Sequence, residues 1–174
     1  MSAICSYENC GRFFVTANIS SKSRSNPYVF TEQGVYMLMT VLKGELAVRQ
    51  SIAYVVDNYI GLRTLVHLKN SPDGVDIILF SDNVGNNKLH NIEFADFCKE
   101  YPTVNLSMKK TGGIFHDRFI VLDYGTADER VFLCGASSKD AGARITSIVE
   151  DYGIAKYAPV IATLLKNPTL ILPQ

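Results

Sequence analysis

A histidine and an arginine stand two positions apart, as His116 and Arg118, in the stretch GGIFHDRFIVLD at residues 112–123. The guanidinium of Arg118 is planar and permanently charged, so it can grip the oxygens of a phosphate. The imidazole of His116 titrates near neutral pH and can attack phosphorus or carry a proton. In a strand the two side chains would share one face, because side chains alternate between faces. The stretch therefore predicts a phosphate site at the start of a strand.

A buried strand with polar residues at its start would explain the same stretch, and residue types alone favour this simpler interpretation. The surrounding elements therefore decide the choice. Apolar periodicity predicts helices at 62–69 and 92–101 and strands at 52–56, 75–80, 104–108, 119–122 and 130–134. This alternation predicts an α/β domain with a mixed central sheet flanked by helices. Asp57 and Asn58 end the first of these strands, where the site is expected.

Both ends of the chain have less regular patterns. Residues 31–49 are predicted to form a helix after the short extended piece 27–30. Further helix is expected after about Ile145 and through 154–165. The apolar piece 169–172 either packs on the domain or helps to form a dimer.

The composition is that of one ordinary domain with a sizeable core. The chain has 174 residues, of which 47% are hydrophobic, and 17 basic residues balance 17 acidic ones. It therefore carries no basic arm or acidic tail, although a local basic patch would suffice for nucleic acid. No charged-then-apolar leader opens the chain, and no apolar run approaches the ~20 residues of a membrane span. We therefore expect a cytoplasmic protein without a membrane partner.

Four cysteines are spaced without a disulfide framework: Cys5, Cys10, Cys98 and Cys134. Cys5 and Cys10 could supply half of a metal site, but no second pair of ligands follows nearby. Cys98 and Cys134 stand in apolar contexts, which predict buried thiols. Metal binding by Cys5 and Cys10 is therefore the less favoured interpretation, and no cofactor is expected.

Residues 27–52 resemble the DNA-binding module of phage antirepressor-like proteins, which is related to the KilA-N and Bro N-terminal families. The resemblance rests on the phrase YVFTEQGV at 28–35 and on the helical pattern that follows it. It covers the C-terminal half of that module. The resemblance implies a phage or mobile-element protein, with a remnant of the DNA-binding module at 1–50 and a second domain at 51–174.

The series His116, Arg118 and Asp123, followed by GASS at 135–138, resembles the signature of the phospholipase D superfamily. That signature is His-x-Lys-x4-Asp followed by Gly-Ser-x-Asn. The order of predicted elements agrees from about 51 to 150, roughly one superfamily half. The resemblance implies a single phospholipase D-like half, a site without metal, and a homodimer in which two copies of His116 come together.

The resemblance also assigns roles to individual residues. His116 would form a phosphohistidine, Arg118 would hold the phosphate in place of the family's Lys, and Glu150 would orient the imidazole. Further phosphate contacts and structural support are assigned to Ser137, Ser138, Asp123 and Gly135. Ala136 replaces the family's Ser and Ser138 its Asn, and losing one donor can cost on the order of a hundredfold in rate. A phosphate-binding pocket is therefore retained more readily than fast turnover.

Lysines near the signature extend the predicted site. Lys109 and Lys110 precede Gly112 and Gly113, and Lys139 follows the GASS motif. Such cations suit a phosphodiester backbone, although a solvated loop explains each of them equally well. We therefore predict a phosphodiester-binding domain that acts on nucleic acid, with DNA the expected partner, as a metal-independent phosphodiesterase or nuclease. The alternatives are a DNA-binding or regulatory module without hydrolysis, and a phosphodiesterase of lipids.

Overall fold

The computed structural model describes residues 52–113, 118–135 and 146–174, together with two short strands at 15–16 and 28–30. The strands within these ranges are β1 (Val15–Thr16), β2 (Tyr28–Phe30), β3 (Ile52–Val56), β4 (Asp76–Phe80), β5 (Asn105–Lys109), β6 (Phe119–Leu122), β7 (Arg130–Cys134) and β8 (Thr146–Glu150). The helices are α1 (Leu62–Leu68), α2 (Asn91–Glu100) and α3 (Ala158–Lys166), with a 3₁₀ turn at Ile154–Lys156. The prediction of an α/β domain with a mixed sheet and flanking helices is confirmed.

The described strands form one mixed sheet in the order β1-β2-β8-β7-β6-β3-β4-β5. The neighbours β3, β4 and β5 are parallel, because α1 and α2 carry the chain back between them. The strands β6, β7 and β8 run antiparallel to their neighbours. β6 follows β5 in the chain, but in the sheet it pairs with β3, so β3 and β4 lie between β5 and β6.

Apolar side chains cover both faces of the sheet. Along β3, Ala53 and Val55 pack in a core with side chains from α1 and α2. Tyr54 and Val56 point the other way and pack with side chains from α3. Fully burying one such aliphatic side chain contributes about 1.5–3 kcal/mol. This two-sided packing holds the strand ends in place, and the strand ends carry the polar residues described below.

Residues 146–150 form strand β8, so the expectation of helix after Ile145 is wrong for this segment. β8 pairs antiparallel with β7 on one side and with β2 on the other. Ile148 is buried and Val149 is exposed, which is the alternation of a strand. The pairing partners are distant in the chain, and the local pattern could not identify them.

The C-terminal tail packs on the domain. α3 begins at Ala158 with Pro159 in its first turn, where proline is tolerated because the first N–H groups have no helical partner. The segment predicted as helix at 154–165 thus consists of the 3₁₀ turn followed by α3. Beyond α3, Leu170 and Leu172 are buried in the core that contains α1 and α2. Thr169 forms a bridge to the end of β5.

The remaining expectations concern a thiol, the N-terminal segment and membrane helices. Cys98 is exposed on α2, so the prediction that its thiol is buried is wrong.

The predicted helix 31–49 lies outside the described residues. β2 pairs with β8, so one sheet contains strands from both sides of the predicted boundary at residue 50, and that boundary stays a prediction. Within the described ranges, no helix has the length and apolarity needed to cross a bilayer.

Candidate functional site

The parallel strands β3, β4 and β5 all end at one edge of the sheet, which we call the carboxyl edge. Asp57, Ser81 and Lys110 are the first residues beyond these strands. β6 runs the other way and starts at this edge, directly after Arg118. β7 ends there, where the amide of Cys134 donates to the carbonyl of Arg118 at 2.9 Å. Ligands of open α/β sheets bind outside the carboxyl ends of the strands, so the polar groups at this edge form the candidate site.

Arg118 is held at the carboxyl edge by two groups that follow β3. Its Nε lies 3.4 Å from Oδ1 of Asp57, whose side chain is only 4% exposed. Its guanidinium carbon lies 5.4 Å from the centre of the Tyr59 ring, a cation–π distance. Oδ1 of Asp57 also accepts the Tyr59 amide at 2.9 Å, which ties the two partners together. The Arg118 side chain is 25% exposed, so it is oriented by the protein and still reaches solvent.

Cys134 lies beside Arg118 and is protonated at neutral pH. Burial raises the pKa of its thiol, the charge of Asp57 adds to the rise, Arg118 opposes it, and the net pKa is about 12. A thiolate is the nucleophilic form of cysteine. The thiol of Cys134 is therefore not in its nucleophilic form at this edge.

Asp82, two residues beyond β4, binds the loop that follows β5. Its Oδ1 accepts the amides of Thr111 at 3.1 Å and Gly112 at 3.2 Å. Its Oδ2 accepts the Thr111 hydroxyl at 2.5 Å and the Gly113 amide at 2.6 Å. One carboxylate thus holds three consecutive residues, which we call the Thr111–Gly113 loop.

Asn58 joins this arrangement from the end of β3. Its Oδ1 accepts the amide of Asp82 at 3.0 Å and lies 2.6 Å from Oγ1 of Thr111. The hydroxyl has one proton to donate, and the charged carboxylate of Asp82 is the stronger acceptor. Partial burial raises the pKa of Asp82, but the hydrogen bonds from the Thr111 hydroxyl and the loop amides outweigh it, so the net pKa lies below its usual range. Asp82 is therefore ionised at neutral pH.

The two glycines of the loop are required by the backbone. Gly112 has φ of +78° and Gly113 has φ of +73°, a region that is strained for residues with a Cβ atom. A Cβ atom at Gly113 would meet no atom within 4 Å. The glycines therefore serve to turn the chain after β5 and are not required to avoid a collision with neighbouring atoms.

The two lysines after β5 have different surroundings. Nζ of Lys109 donates to the carbonyls of Leu165 at 2.6 Å and Asn167 at 3.3 Å, at the C-terminal end of α3. A cation there is stabilised by the helix dipole. Lys109 thus has a structural partner, which differs from its predicted contact with phosphate. Lys110 is exposed, and its role in binding phosphate stays a prediction.

Glu150 forms a bidentate ion pair with Arg130. Its carboxylate accepts from Nε at 2.7 Å and Nη2 at 3.0 Å. Glu150 lies opposite Phe132, two positions along β7 from the end that adjoins Arg118. The structure therefore places Glu150 with Arg130, and its role in orienting His116 stays a prediction.

The remaining predicted residues fall into two groups. Asp123 lies at the far end of β6 from Arg118, where its Oδ1 accepts the amide of Ile52 at 3.3 Å and its φ is +50°. It supports the turn after β6, and Gly135 follows β7 as an exposed residue. The other predicted residues lie outside the described residues: His116, Ser137, Ser138 and Lys139. Among the described residues, no group of three or more His, Cys, Asp or Glu side chains could hold a metal ion.

Sequence reasoning missed Asp82 and Thr111. The available signal was the repetition of polar residues after neighbouring apolar strands, since Asp82 follows β4 as Asp57 follows β3. The composition of 81–87 is typical of a polar loop, and no site residue was predicted there. The hydrogen bonds of Asp82 connect it to residues about thirty positions further along the chain.

No family model and no curated protein matches the chain. The structure is similar to the crystal structure of polyphosphate kinase from Porphyromonas gingivalis, with a TM-score of 0.51 and 13% sequence identity. The similarity covers 82% of this chain and 23% of the kinase chain, so this chain spans about a quarter of the length of that protein. The fold is phospholipase D-like.

The phospholipase D-like fold was the expectation for about 51–150, and the predicted order of elements agrees with the described order from β3 to β7. The resemblance of residues 27–52 to antirepressor modules has no support from the comparisons and stays a prediction. At 13% identity the similarity concerns the fold and not the chemistry.

Proposed function

We propose that this phospholipase D-like domain binds and cleaves the phosphodiester backbone of nucleic acid, with His116 as the nucleophile. The observation that carries the proposal is the orientation of Arg118 at the carboxyl edge by Asp57 and Tyr59. His116 precedes Arg118 by two positions, so the chain keeps their Cα atoms within about 7 Å of each other. A phosphate held by Arg118 would lie within reach of the imidazole.

The proposed reaction proceeds in two displacements. A ring nitrogen of His116 forms a bond to phosphorus while the bond from phosphorus to the leaving oxygen breaks. In a homodimer, the imidazolium of the second copy of His116 gives its proton to that oxygen. A water molecule then attacks the phosphohistidine, gives a proton back to the second imidazole and releases the first. Arg118 balances the charge on the phosphate oxygens in both steps.

A second candidate function is nucleic-acid binding without hydrolysis. Two residues assigned to the site are engaged elsewhere, since Lys109 binds the end of α3 and Glu150 binds Arg130. Asp57 and Asp82 add negative charge at the same edge, which opposes the binding of a phosphate close to Arg118. Each of these observations argues against catalysis at Arg118 more strongly than against nucleic-acid binding that brings no phosphate close to Arg118.

The test compares the wild-type chain with His116→Ala on end-labelled single- and double-stranded DNA. Cleavage and an acid-labile adduct on the protein are measured, and binding is measured over a range of salt concentrations. His90→Ala is the matched control, because the His90 ring is exposed and hydrogen-bonded to the carbonyl of Gln174 at 2.9 Å.

Cleavage and adduct that are present in the wild type and in His90→Ala, and absent in His116→Ala, support the proposal. Cleavage by a pure His116→Ala sample refutes the mechanism. Salt-dependent binding without cleavage or adduct would favour the second candidate. A chain that neither binds nor cleaves DNA would overturn both.

The shared site of a homodimer has its own test. If both copies of His116 are needed, mixed dimers of wild type and His116→Ala are inactive. Activity then follows the square of the wild-type fraction, and an equal mixture retains about one quarter of the wild-type activity. Retention of about one half would mean that each protomer acts alone.

A further inference from the structure

Asp82 uses both oxygens of its carboxylate on one loop. Oδ1 accepts the amides of Thr111 and Gly112, and Oδ2 accepts the Thr111 hydroxyl and the Gly113 amide. These contacts join the end of β4 to the segment that leaves β5. Asn58 adds the end of β3, because its Oδ1 accepts the amide of Asp82. Three parallel strands are thus connected at the carboxyl edge by side chains.

The loop needs such an anchor because of its composition. Glycine has more conformational freedom in the unfolded chain than any other residue, and Gly112 and Gly113 are consecutive. Both adopt positive φ. Glycine has no side chain, so contacts to the backbone must hold this conformation. Hydrogen bonds to an ionised acceptor are stronger than those between neutral groups, so the carboxylate of Asp82 is well suited to hold the two glycines.

The loop leads directly into the segment that contains His116. Gly113 precedes His116 by three positions, and Arg118 follows it by two. The residue before this segment is held by Asp82, and the residue after it is held by Asp57. Both anchors are aspartates that follow parallel strands.

We propose that Asp82 is a positioning residue, which holds the Thr111–Gly113 loop and thereby sets the place of His116 relative to Arg118. This inference rests on the proposed function of His116. Asp82 touches neither substrate nor reacting atoms in this mechanism. Its loss should slow the formation of phosphohistidine without weakening DNA binding, because Asp82 contacts no substrate and the loss of its charge removes a repulsion of phosphate.

Asp82→Asn is the informative substitution. An amide has one acceptor oxygen, so its NH₂ group would face either the Gly113 amide or two other amides, all of which are donors. We expect a loss of about a hundredfold in the single-turnover rate of adduct formation, since a displacement of about 1 Å can cost that much. The dissociation constant for DNA should not rise, because the substitution removes a negative charge from this edge.

Two other variants protect the test against simple unfolding. Asp76→Asn is the matched control, because Asp76 lies exposed at the opposite end of β4 and accepts one hydrogen bond from Asn105 at 3.1 Å. Thr111→Val removes the hydroxyl with its contacts to Asp82 and Asn58 and keeps the amide contacts, so it should reduce the adduct rate by less than Asp82→Asn does. Thr111→Ser keeps the hydroxyl, so its adduct rate should stay close to that of the wild type.

Hydrogen exchange of the Gly112 and Gly113 amides supplies a readout that does not depend on catalysis. Asp82→Asn should accelerate exchange at Gly113 by about tenfold or more while the amides of β4 keep their protection. Unchanged exchange at both glycines would overturn the inference. An adduct rate that falls only in proportion to the folded fraction would also overturn it, because the role would then be purely structural.

The inference and the proposed function can fail separately. If the wild type forms no adduct, the proposed chemistry is wrong, and hydrogen exchange alone decides whether Asp82 anchors the loop. If the wild type forms the adduct and Asp82→Asn forms it at the same rate, the chemistry stands and the positioning role is wrong.

Discussion

The ion pair between Arg118 and Asp57 predicts an asymmetric cost of mutation. Removing one partner of a fully buried pair costs about 3–5 kcal/mol, because the other charge is left buried and uncompensated. Asp57 is 4% exposed and Arg118 is 25% exposed, and Asp57 keeps the Tyr59 amide as a donor. We therefore expect Arg118→Gln to lower the free energy of unfolding by about 2 kcal/mol.

Asp57→Asn should cost less than Arg118→Gln, about 1 kcal/mol, because Arg118 can turn its charge toward water when the carboxylate is lost. In the double variant both charges of the pair are removed. Its cost should fall short of the sum of the single costs by about 1 kcal/mol. For a chain of this size, the loss in Arg118→Gln corresponds to a melting temperature lower by about 4–8 °C.

Urea denaturation followed by far-UV circular dichroism measures these free energies. Lys99→Gln is the control, since Lys99 is an exposed cation in the last turn of α2, and it should change stability by less than about 0.5 kcal/mol. Single costs that add in the double variant to within about 0.5 kcal/mol would refute the reasoning. Arg118 would then be held by something other than Asp57.

Three further predictions follow from the described contacts. Lys109→Met removes the cation from the end of α3, so it should lower the free energy of unfolding by about 1 kcal/mol and leave DNA affinity unchanged. Lys110 is exposed, and Lys110→Gln should weaken DNA binding. Hydrogen bonds from Lys156 and Tyr157 lower the pKa of Asp151 to about 2 from its ordinary 3.8. This group therefore stabilises the fold above pH 3.8 and the contribution is lost as the pH falls through about 2, so Asp151→Asn should flatten the fall of stability in that window. Gly113→Ala should cost about 1 kcal/mol through backbone strain alone, because its φ is positive and its surroundings are open.

Each of these predictions has a result that contradicts it. Lys109→Met that weakens DNA binding as much as Lys110→Gln would mean that Lys109 reaches the nucleic acid. An acid titration of unfolding by circular dichroism that is identical in the wild type and Asp151→Asn would mean that the contacts of Asp151 do not form in solution. A Gly113→Ala variant as stable as the wild type in urea would mean that the loop can adopt another conformation.

Sequence patterns predicted most of the described elements, because alternation of apolar residues is a local property. The strands at 52–56 and 130–134 have the predicted boundaries, and the helix at 62–68 is one residue shorter than predicted. The segment 146–150 was expected to be helical, and it is a strand because β7 and β2 offer pairing on both sides.

The site was predicted in part. Arg118 was placed at the start of a strand, and it lies directly before β6. Its contacts with Asp57 and Tyr59 depend on β6 pairing with β3, a strand more than sixty residues earlier in the chain. Lys109 was expected to face a phosphate, but its ammonium binds α3 because the C-terminal tail packs against the end of β5.

From sequence alone, the stretch GGIFHDRFIVLD predicts a phosphate site with a His and an Arg, and it indicates which apolar residues form the strand that follows them. Residue type and periodicity determine this much, since both are read within a few positions. The tertiary structure alone decided that Asp82 holds the two glycines at the start of this stretch and that Asp57 holds Arg118 within it. Those contacts arise because three parallel strands end side by side, a proximity that no local pattern contains.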